Sequence, residues 1–261
     1  MQSQLCTQEK LESGLYQDWA KVFGTPNHMH RKIWEWVFIS EALHSSGMLK
    51  PGKLGLGFAV GSEPLTSVFA SRGAEIIATD LDTAQAAEKG WLIHNEHAET
   101  KANLNERKLC DEEEFNRLVS FQFADMNNIP TEFEGRFDFN WSSCAFEHLG
   151  SIQHGIDFVC NSMKVLKPGG VSVHTTEFNV CSNEDTIETG DTVIFRRRDI
   201  QTIIDRLLAE GYDVGEMDWS FGTSPLDYYV DLPPYKQTTH LKLMMSGYIT
   251  TSIGLIVRKP S

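Results

Sequence analysis

The sequence predicts an α/β protein: a doubly wound, mostly parallel sheet with helices on both faces and a helical cap at the N-terminal end. Three observations carry this reading. From Lys53 onward, short apolar runs alternate with amphipathic helical stretches, the pattern of parallel strands joined by crossover helices. A glycine-rich turn, Gly55 to Gly61, follows the first of those runs. The chain has 261 residues, 41% hydrophobic and 23% charged, enough for one large core without disulfide staples.

Residues 8–48 read as helical, with Ile33, Trp34, Val37, Phe38 and Ala42 on one stripe and Gly47 as the stop. Residues 53–57 form the first strand candidate, and Pro64 suits the first turn of the helix after it. Further strands are expected at 74–79, 119–124, 137–142 and 170–176. Between the last two, Ser151 is a helix N-cap, and Ile152, Ile156, Val159, Met163 and Leu166 recur at helical spacing before Gly169. Another helix follows Asp199, with Ile200, Ile203, Ile204, Leu207 and Leu208 on one face and Gly211 ending it. Two final strands are expected near 213–219 and 250–258. Residues 220–247 hold Pro225, Pro233, Pro234 and three of the six tyrosines, and read as a long functional excursion. The expected division is a cap over 1–49 and a main domain over 50–261 that includes this excursion.

Composition narrows the function. The net charge of −13 opposes an extended nucleic-acid surface, which needs a dense cationic face. No apolar run approaches the roughly 20 residues of a membrane span, and Met1-Gln2-Ser3-Gln4-Leu5 has neither a basic flank nor a signal core. Cys6, Cys110, Cys144, Cys160 and Cys181 are scattered without a CxxC pair, so a cytoplasmic protein with reduced thiols is expected. The partner expected is a small molecule rather than nucleic acid or membrane; monomer and homodimer both stay open.

The turn itself reads Gly55-Leu56-Gly57-Phe58-Ala59-Val60-Gly61, and Asp80 ends the second strand nineteen residues after Gly61. A carboxylate there can accept both hydroxyls of an adenosine ribose, so strand, turn, helix and acid together point to an adenosine-containing ligand. Dinucleotides and S-adenosylmethionine both fit. Downstream stand Phe123-Ala124-Asp125-Met126, then Cys144-Ala145-Phe146-Glu147-His148-Leu149-Gly150-Ser151, then Leu166-Lys167-Pro168-Gly169-Gly170. The Tyr-x-x-x-Lys pair of short-chain dehydrogenases is absent from the sequence.

This succession resembles the class I S-adenosylmethionine-dependent methyltransferases over roughly residues 50–180, and more loosely to 258. Arg31-Lys32-Ile33-Trp34-Glu35 and Thr250-Thr251-Ser252-Ile253-Gly254-Leu255 add a looser likeness to the methyltransferases of polysaccharide and natural-product pathways. The resemblance implies a Rossmann-like, seven-stranded sheet with its last strand antiparallel, S-adenosyl-L-methionine as cofactor and S-adenosyl-L-homocysteine as product. It also implies that Gly55, Gly57 and Gly61 shape the cofactor turn and that Asp80 holds the ribose. Asp125 would take the adenine amino group, and the Met126 N–H a ring nitrogen. The chain departs from the family by carrying Gly55 where an acid usually stands, and Ala59 where a glycine does. Glu63 is the candidate replacement for that acid, with a solvated first-turn carboxylate as the rival reading; Asp82 reads as a helix-capping acid.

In such sheets ligands lie beyond the carboxyl ends of the strands. Methyl transfer is an in-line displacement, so the protein must align the nucleophile and remove a proton if that nucleophile is a hydroxyl. His148 is the candidate base, or else a cap for the helix that Ser151 opens; Glu147 would orient it or is merely solvated. Glu177 would position a hydroxyl or amine, or serve as a structural carboxylate. His174 alternates into a strand as a core histidine. Trp34 is a candidate cofactor contact, and Tyr16, Tyr228 and Tyr229 candidate acceptor contacts, with Trp19, Trp36 and Tyr235 nearby. No metal is expected, because the pairs His28/His30 and His94/His97 lack a third ligand in register. Arg196-Arg197-Arg198 suits either an acceptor's anion or a solvated junction. The function expected is methylation of a small-molecule hydroxyl, on a sugar or natural product. N-methylation of an amine and a non-catalytic sensor or scaffold stay as alternatives.

Overall fold

The computed structural model describes residues 1–26, 28–82, 98, 100–236 and 239–261. The chain begins with β1 (Ser3–Leu5), α1 (Gln8–Glu12), α2 (Gly14–Val22), β2 (Met29–His30) and α3 (Arg31–Ser45). The helical stretch expected over 8–48 is divided because two side chains cap new helices. Ser13 Oγ accepts from Tyr16 N, and His30 Nδ1 accepts from Lys32 N. Next come β3 (Leu54–Gly57), α4 (Leu65–Ser71), β4 (Glu75–Asp80), α5 (Glu112–Leu118) and β5 (Val119–Phe123). They are followed by β6 (Phe137–Ser143), α6 (Ile152–Ser162), β7 (Leu166–Asn179) and α7 (Arg197–Ala209). The remaining strands are β8 (Met217–Asp218), β9 (Val230–Asp231), β10 (Thr239–His240), β11 (Lys242–Met245) and β12 (Tyr248–Arg258).

The strands join in the order β5-β4-β3-β6-β7-β12-β1-β8, with β11 beside β12 and β9 beside β11. The five from β5 to β7 are mutually parallel, and β12 runs antiparallel to β7. This is the doubly wound α/β architecture expected, with its last strand antiparallel. Among the described residues the sheet has ten strands rather than seven. The N-terminal segment, expected as a helical cap, also contributes a strand: β1 lies against β12, with Gln4 opposite Gly254 and Leu5 opposite Ile253. The strand expected at 213–219 shrinks to Met217–Asp218 and pairs with β1. The helix expected to run toward Gly169 ends at Ser162, and the following strand starts earlier than expected, at Leu166.

Two apolar layers cover the sheet. On one side, Phe38 of α3 and Phe69 of α4 pack against Phe139 and Trp141. On the other, Phe158 of α6 and Ile203 of α7 pack against Leu56, Phe178 and Leu255. The 220–247 excursion folds back through a two-residue hairpin between β11 and β12, in which Ser246 and Gly247 both have positive φ. It also reaches the start of α3, because β10 pairs with β2 and the His30 and His240 rings stack with centroids 4.7 Å apart.

His174 is fully buried in β7, where Nδ1 pairs with Ser142 Oγ at 2.8 Å and Nε2 with Ser172 Oγ at 2.7 Å. Burial lowers its pKa from 6.5 to about 3. Burial and the neighbouring His240 lower that of His30 to about 4. As pH falls below about 6.5, the unfolded chain takes up these protons before the folded one does, so stability is full above that pH and declines below it. Urea unfolding free energies measured from pH 7 to pH 4 are expected to fall, and His174→Gln is expected to flatten the decline. An unchanged slope in that variant would remove His174 as a source.

Candidate active site

Strand order reverses between β3 and β6, and at such a reversal a crevice opens beyond the carboxyl ends. Here it contains a cavity of about 380 Å³ lined from the turn after β3, the end of β4, the turn after β6, β7 and the first turns of α3.

Of the three glycines expected to shape the turn, Gly55 and Gly57 lie inside β3 and Gly61 in the turn after it. A Cβ on Gly55 would lie 2.3 Å from Phe139 Cζ, and one on Gly57 would lie 2.5 Å from Trp141 Cζ2. These two are glycines because β6 presents stacked aromatic rings to them, which also excludes an acid at position 55. Neither is among the described residues lining the cavity. Gly61 is, with φ +52, and its N–H donates to Asp80 Oδ2 at 3.0 Å. Ala59 holds φ +46, a left-handed conformation that glycine adopts with less strain.

Asp80 lines the cavity while holding its surroundings together. Besides Gly61, its carboxylate accepts from Leu81 N at 2.8 Å and Ala98 N at 3.1 Å. Asp82 follows; the helix expected to begin there lies outside the described residues, as do His94 and His97. Ala124 N donates to the Asp80 carbonyl at 2.9 Å, which brings the end of β5 beside this acid. Asp125, the next residue, accepts from Asn127 N at 2.8 Å, and Met126 is buried. Neither Asp125 nor Met126 is among the described lining residues.

Helix α3 supplies a charged face that sequence reasoning missed. Arg31, Lys32 and Glu35 point one way, while Trp34, Val37 and Phe38 belong to the core on the other. Arg31 pairs with Glu177 of β7 and lies 3.8 Å from Glu35. Lys32 Nζ lies 2.9 Å from Glu35 Oε2 and 3.3 Å from Glu63 Oε1. Glu35 is fully buried and receives a hydrogen bond from Ser252 Oγ. Burial works against its charge, but Lys32 and Arg31 hold its carboxyl below the usual range. For Glu63 burial wins: despite Lys32, its carboxyl is pushed up. The spacing of Lys32 and Arg31 from Glu35 was the available signal, since positions three and four apart share a helix face.

After β6, Cys144 also holds a strained left-handed conformation, φ +43, with its N–H donated to the Thr175 carbonyl at 3.1 Å. Glu147 is buried and accepts from Thr176 Oγ1 at 2.9 Å; burial and Glu177 push it up against the pull of His148. His148 lines the cavity and does not cap α6, because Ser151 Oγ takes that role by accepting from His154 N. Its Nδ1 lies 2.9 Å from the Asp191 carbonyl. A carbonyl only accepts, so Nδ1 carries the proton and Nε2 is the basic nitrogen. Glu177 is 4% exposed; Arg31 holds one oxygen, while Oε2 has no hydrogen-bond partner among the described residues.

Donor atoms of Cys144, Glu147 and Glu177 lie within 4.8 Å of one another, a spacing a cation could use. Two features oppose this: the Arg31 guanidinium already sits on Glu177, and burial pushes the Cys144 thiol well up. Of the other expected contacts, Trp34 and Tyr16 line a separate groove with Phe38, because they lie on the wrong helix faces. Tyr228 is 74% exposed and, like Tyr229, stands outside the cavity; the excursion reaches it through Met245 instead. The basic run is held internally: Arg196 pairs with Asp199 and Glu188, Arg198 with Glu184, and Arg197 covers the Trp219 ring.

Residues 56–174 match the methyltransferase domain family. No curated protein sequence matches the chain. Among solved structures, a Burkholderia thailandensis 1,6-didemethyltoxoflavin-N1-methyltransferase, determined with 1,6-didemethyltoxoflavin and S-adenosylhomocysteine, is similar at TM-score 0.52 and 14% identity, over 98% of this chain and 92% of that one. The magnesium protoporphyrin IX methyltransferase of Synechocystis PCC 6803, with S-adenosylhomocysteine bound, gives 0.50 and 12%, over 97% of each chain. A 4+2 cyclase, SpnF, gives 0.52 and 16%, over 96% of this chain and 94% of that one. At these identities the likeness is one of fold, and the cyclase shows that the fold alone does not fix the chemistry.

Proposed function

From the premise that residues 56–174 form a class I S-adenosylmethionine-dependent methyltransferase domain, we propose that the protein methylates a hydroxyl of a small molecule, a sugar or natural product. The observation that carries the acceptor assignment is Glu177 Oε2, a buried carboxylate oxygen of a residue lining the cavity, with no donor to satisfy it among the described residues. Such an atom costs about 1–3 kcal/mol, which a donor on the acceptor would recover.

The cavity suits the cofactor. Its volume of about 380 Å³ falls in the range of small-molecule sites. Glu63, Asp80, Glu147 and Glu177 outnumber Arg31 and Lys32 around it, a balance that favours a cationic ligand. Asp80 would hold the ribose, Asp125 and the Met126 N–H the adenine, and Glu63 the ammonium. When bound, S-adenosylmethionine supplies a methyl carbon already activated by its sulfonium. The chain's own residues then align and deprotonate the acceptor: Glu177 Oε2 accepts from a second donor on the acceptor and so positions it, and His148 Nε2 takes the proton of the hydroxyl that is methylated. The Asp191 carbonyl keeps the imidazole in the tautomer this needs. The 1–49 segment and the 220–247 excursion would cover the acceptor end, through Arg31 and Met245.

The carboxylate surplus also favours a second reading, an amine acceptor made nucleophilic by losing its proton to Glu147. Incubation with methyl-labelled S-adenosylmethionine and pooled hydroxyl- and amine-bearing metabolites separates them. Label in an alkali-stable methyl ether supports the first; label in N-methyl products overturns it. No described helix is long and apolar enough to cross a membrane. The five free cysteines support a cytoplasmic location, and the charge of −13 supports an acceptor other than nucleic acid.

A further inference from the structure

Arg31 and Glu177 form a buried ion pair that is only half satisfied. Arg31 Nη2 meets Glu177 Oε1, and Arg31 Nη1 donates to Ser252 Oγ at 3.1 Å. Ser252 on β12 stands directly opposite Glu177 on β7, so the guanidinium is fixed from two neighbouring strands. The atoms left over are Arg31 Nε and Glu177 Oε2, both buried and both without a hydrogen-bond partner among the described residues. Each lies two covalent bonds from the atoms in contact, and both residues line the cavity. Nε–H only donates, and a carboxylate oxygen only accepts. An ammonium would serve Oε2 alone and stand against the guanidinium; a carboxylate would serve Nε alone and stand against Glu177. A hydroxyl serves both, and it adds no charge to a pair that is already neutral.

We propose that Arg31 and Glu177 together read a second hydroxyl of the acceptor, Arg31 Nε–H donating to its oxygen and Glu177 Oε2 accepting its hydrogen. This rests on the hydroxyl methylation proposed above, and it narrows the substrate class to molecules with at least two hydroxyls, one methylated and one read. Arg31 is the specificity-determining member, since Glu177 alone would take any donor, an amine included. An order of reactions follows. An ether oxygen accepts but cannot donate, so a methyl already on the reading hydroxyl would leave Glu177 Oε2 unpaired. The reading hydroxyl is therefore free when this enzyme acts, and any reaction that caps it comes later.

Methyl-labelled S-adenosylmethionine and the metabolite pool described above supply the labelled ethers, and acetylation followed by mass spectrometry counts the free hydroxyls in each. Every labelled ether is expected to retain at least one. Monodeoxy analogues of the best acceptor then locate it: removing the reading hydroxyl is expected to lower kcat/KM of wild-type protein by about 10²-fold or more. In Arg31→Lys, which keeps a cation beside Glu177 but lacks Nε–H, the same removal is expected to matter less than about tenfold. Glu177→Gln is expected to shrink the effect as well, and both variants to bind S-adenosylhomocysteine within about twofold of wild type. Three results overturn the reading pair while leaving hydroxyl methylation intact: a labelled ether with no free hydroxyl, no analogue that wild-type protein disfavours by about tenfold, or an equal effect in wild type and a folded variant. The first two are read on wild-type protein alone, so they decide the matter even if neither variant folds. Label confined to N-methyl products, or no label at all, overturns hydroxyl methylation and the reading pair with it.

Discussion

His148→Ala is expected to lower turnover by about 10²-fold or more while leaving affinity for S-adenosylhomocysteine within about twofold. The separation follows from position. His148 lines the cavity on the turn after β6, whereas the residues assigned to ribose, adenine and ammonium lie on β4, after β5 and after β3. Its Nδ1 is committed to the Asp191 carbonyl, so Nε2 is the nitrogen able to receive a proton. Single-turnover rates measured across pH provide the check. Equal rates in wild type and variant would remove His148 as the base and favour an acceptor that needs only alignment. A matching loss of cofactor affinity would instead make it a structural residue of the turn.

Arg31→Met is expected to destabilise the fold by about 3 kcal/mol. Removing one partner of a buried ion pair strands the other, at a typical cost of about 3–5 kcal/mol, and here the stranded group is Glu177, only 4% exposed. Glu35 would keep Lys32 and Ser252, which places the effect at the lower end of that range. The double variant Arg31→Met, Glu177→Met should recover most of the loss, because it leaves no charge to strand. Urea denaturation of the four proteins measures the coupling. A single variant within about 0.5 kcal/mol of wild type would mean that water already solvates Glu177, and would withdraw the argument from its unpartnered oxygen.

The fold was legible wherever a strand is long and buried on both faces. The runs at β4, β6, β7 and β12 are apolar enough to read as core strands without a partner in view. β1 was not, because a strand of three residues carries no alternation and its place in the sheet depends on β12, about 250 residues away; the place of β8, read as a longer strand, depends on β1 at the other end of the chain. The site was legible where spacing along the chain equals proximity in space. Asp80, Gly61, Glu63, His148 and Glu177 all meet at the cavity because strand ends converge there. Trp34 was misplaced because an aromatic stripe shows that a helix packs, not which neighbour it packs against. Arg31, Lys32 and Glu35 were hidden for the complementary reason: a charged face normally meets water, and here it meets the crevice. Gly55 had the right residue for another cause, since the ring of Phe139, distant in sequence, is what requires it.

Isothermal titration of S-adenosylhomocysteine into wild-type protein and Asp80→Ala tests most directly whether the crevice is a cofactor site. One molecule bound per chain, with affinity reduced roughly tenfold or more in a variant that still unfolds cooperatively, is the predicted result. The absence of binding heat with folded wild-type protein, or equal affinity in both proteins, would contradict it.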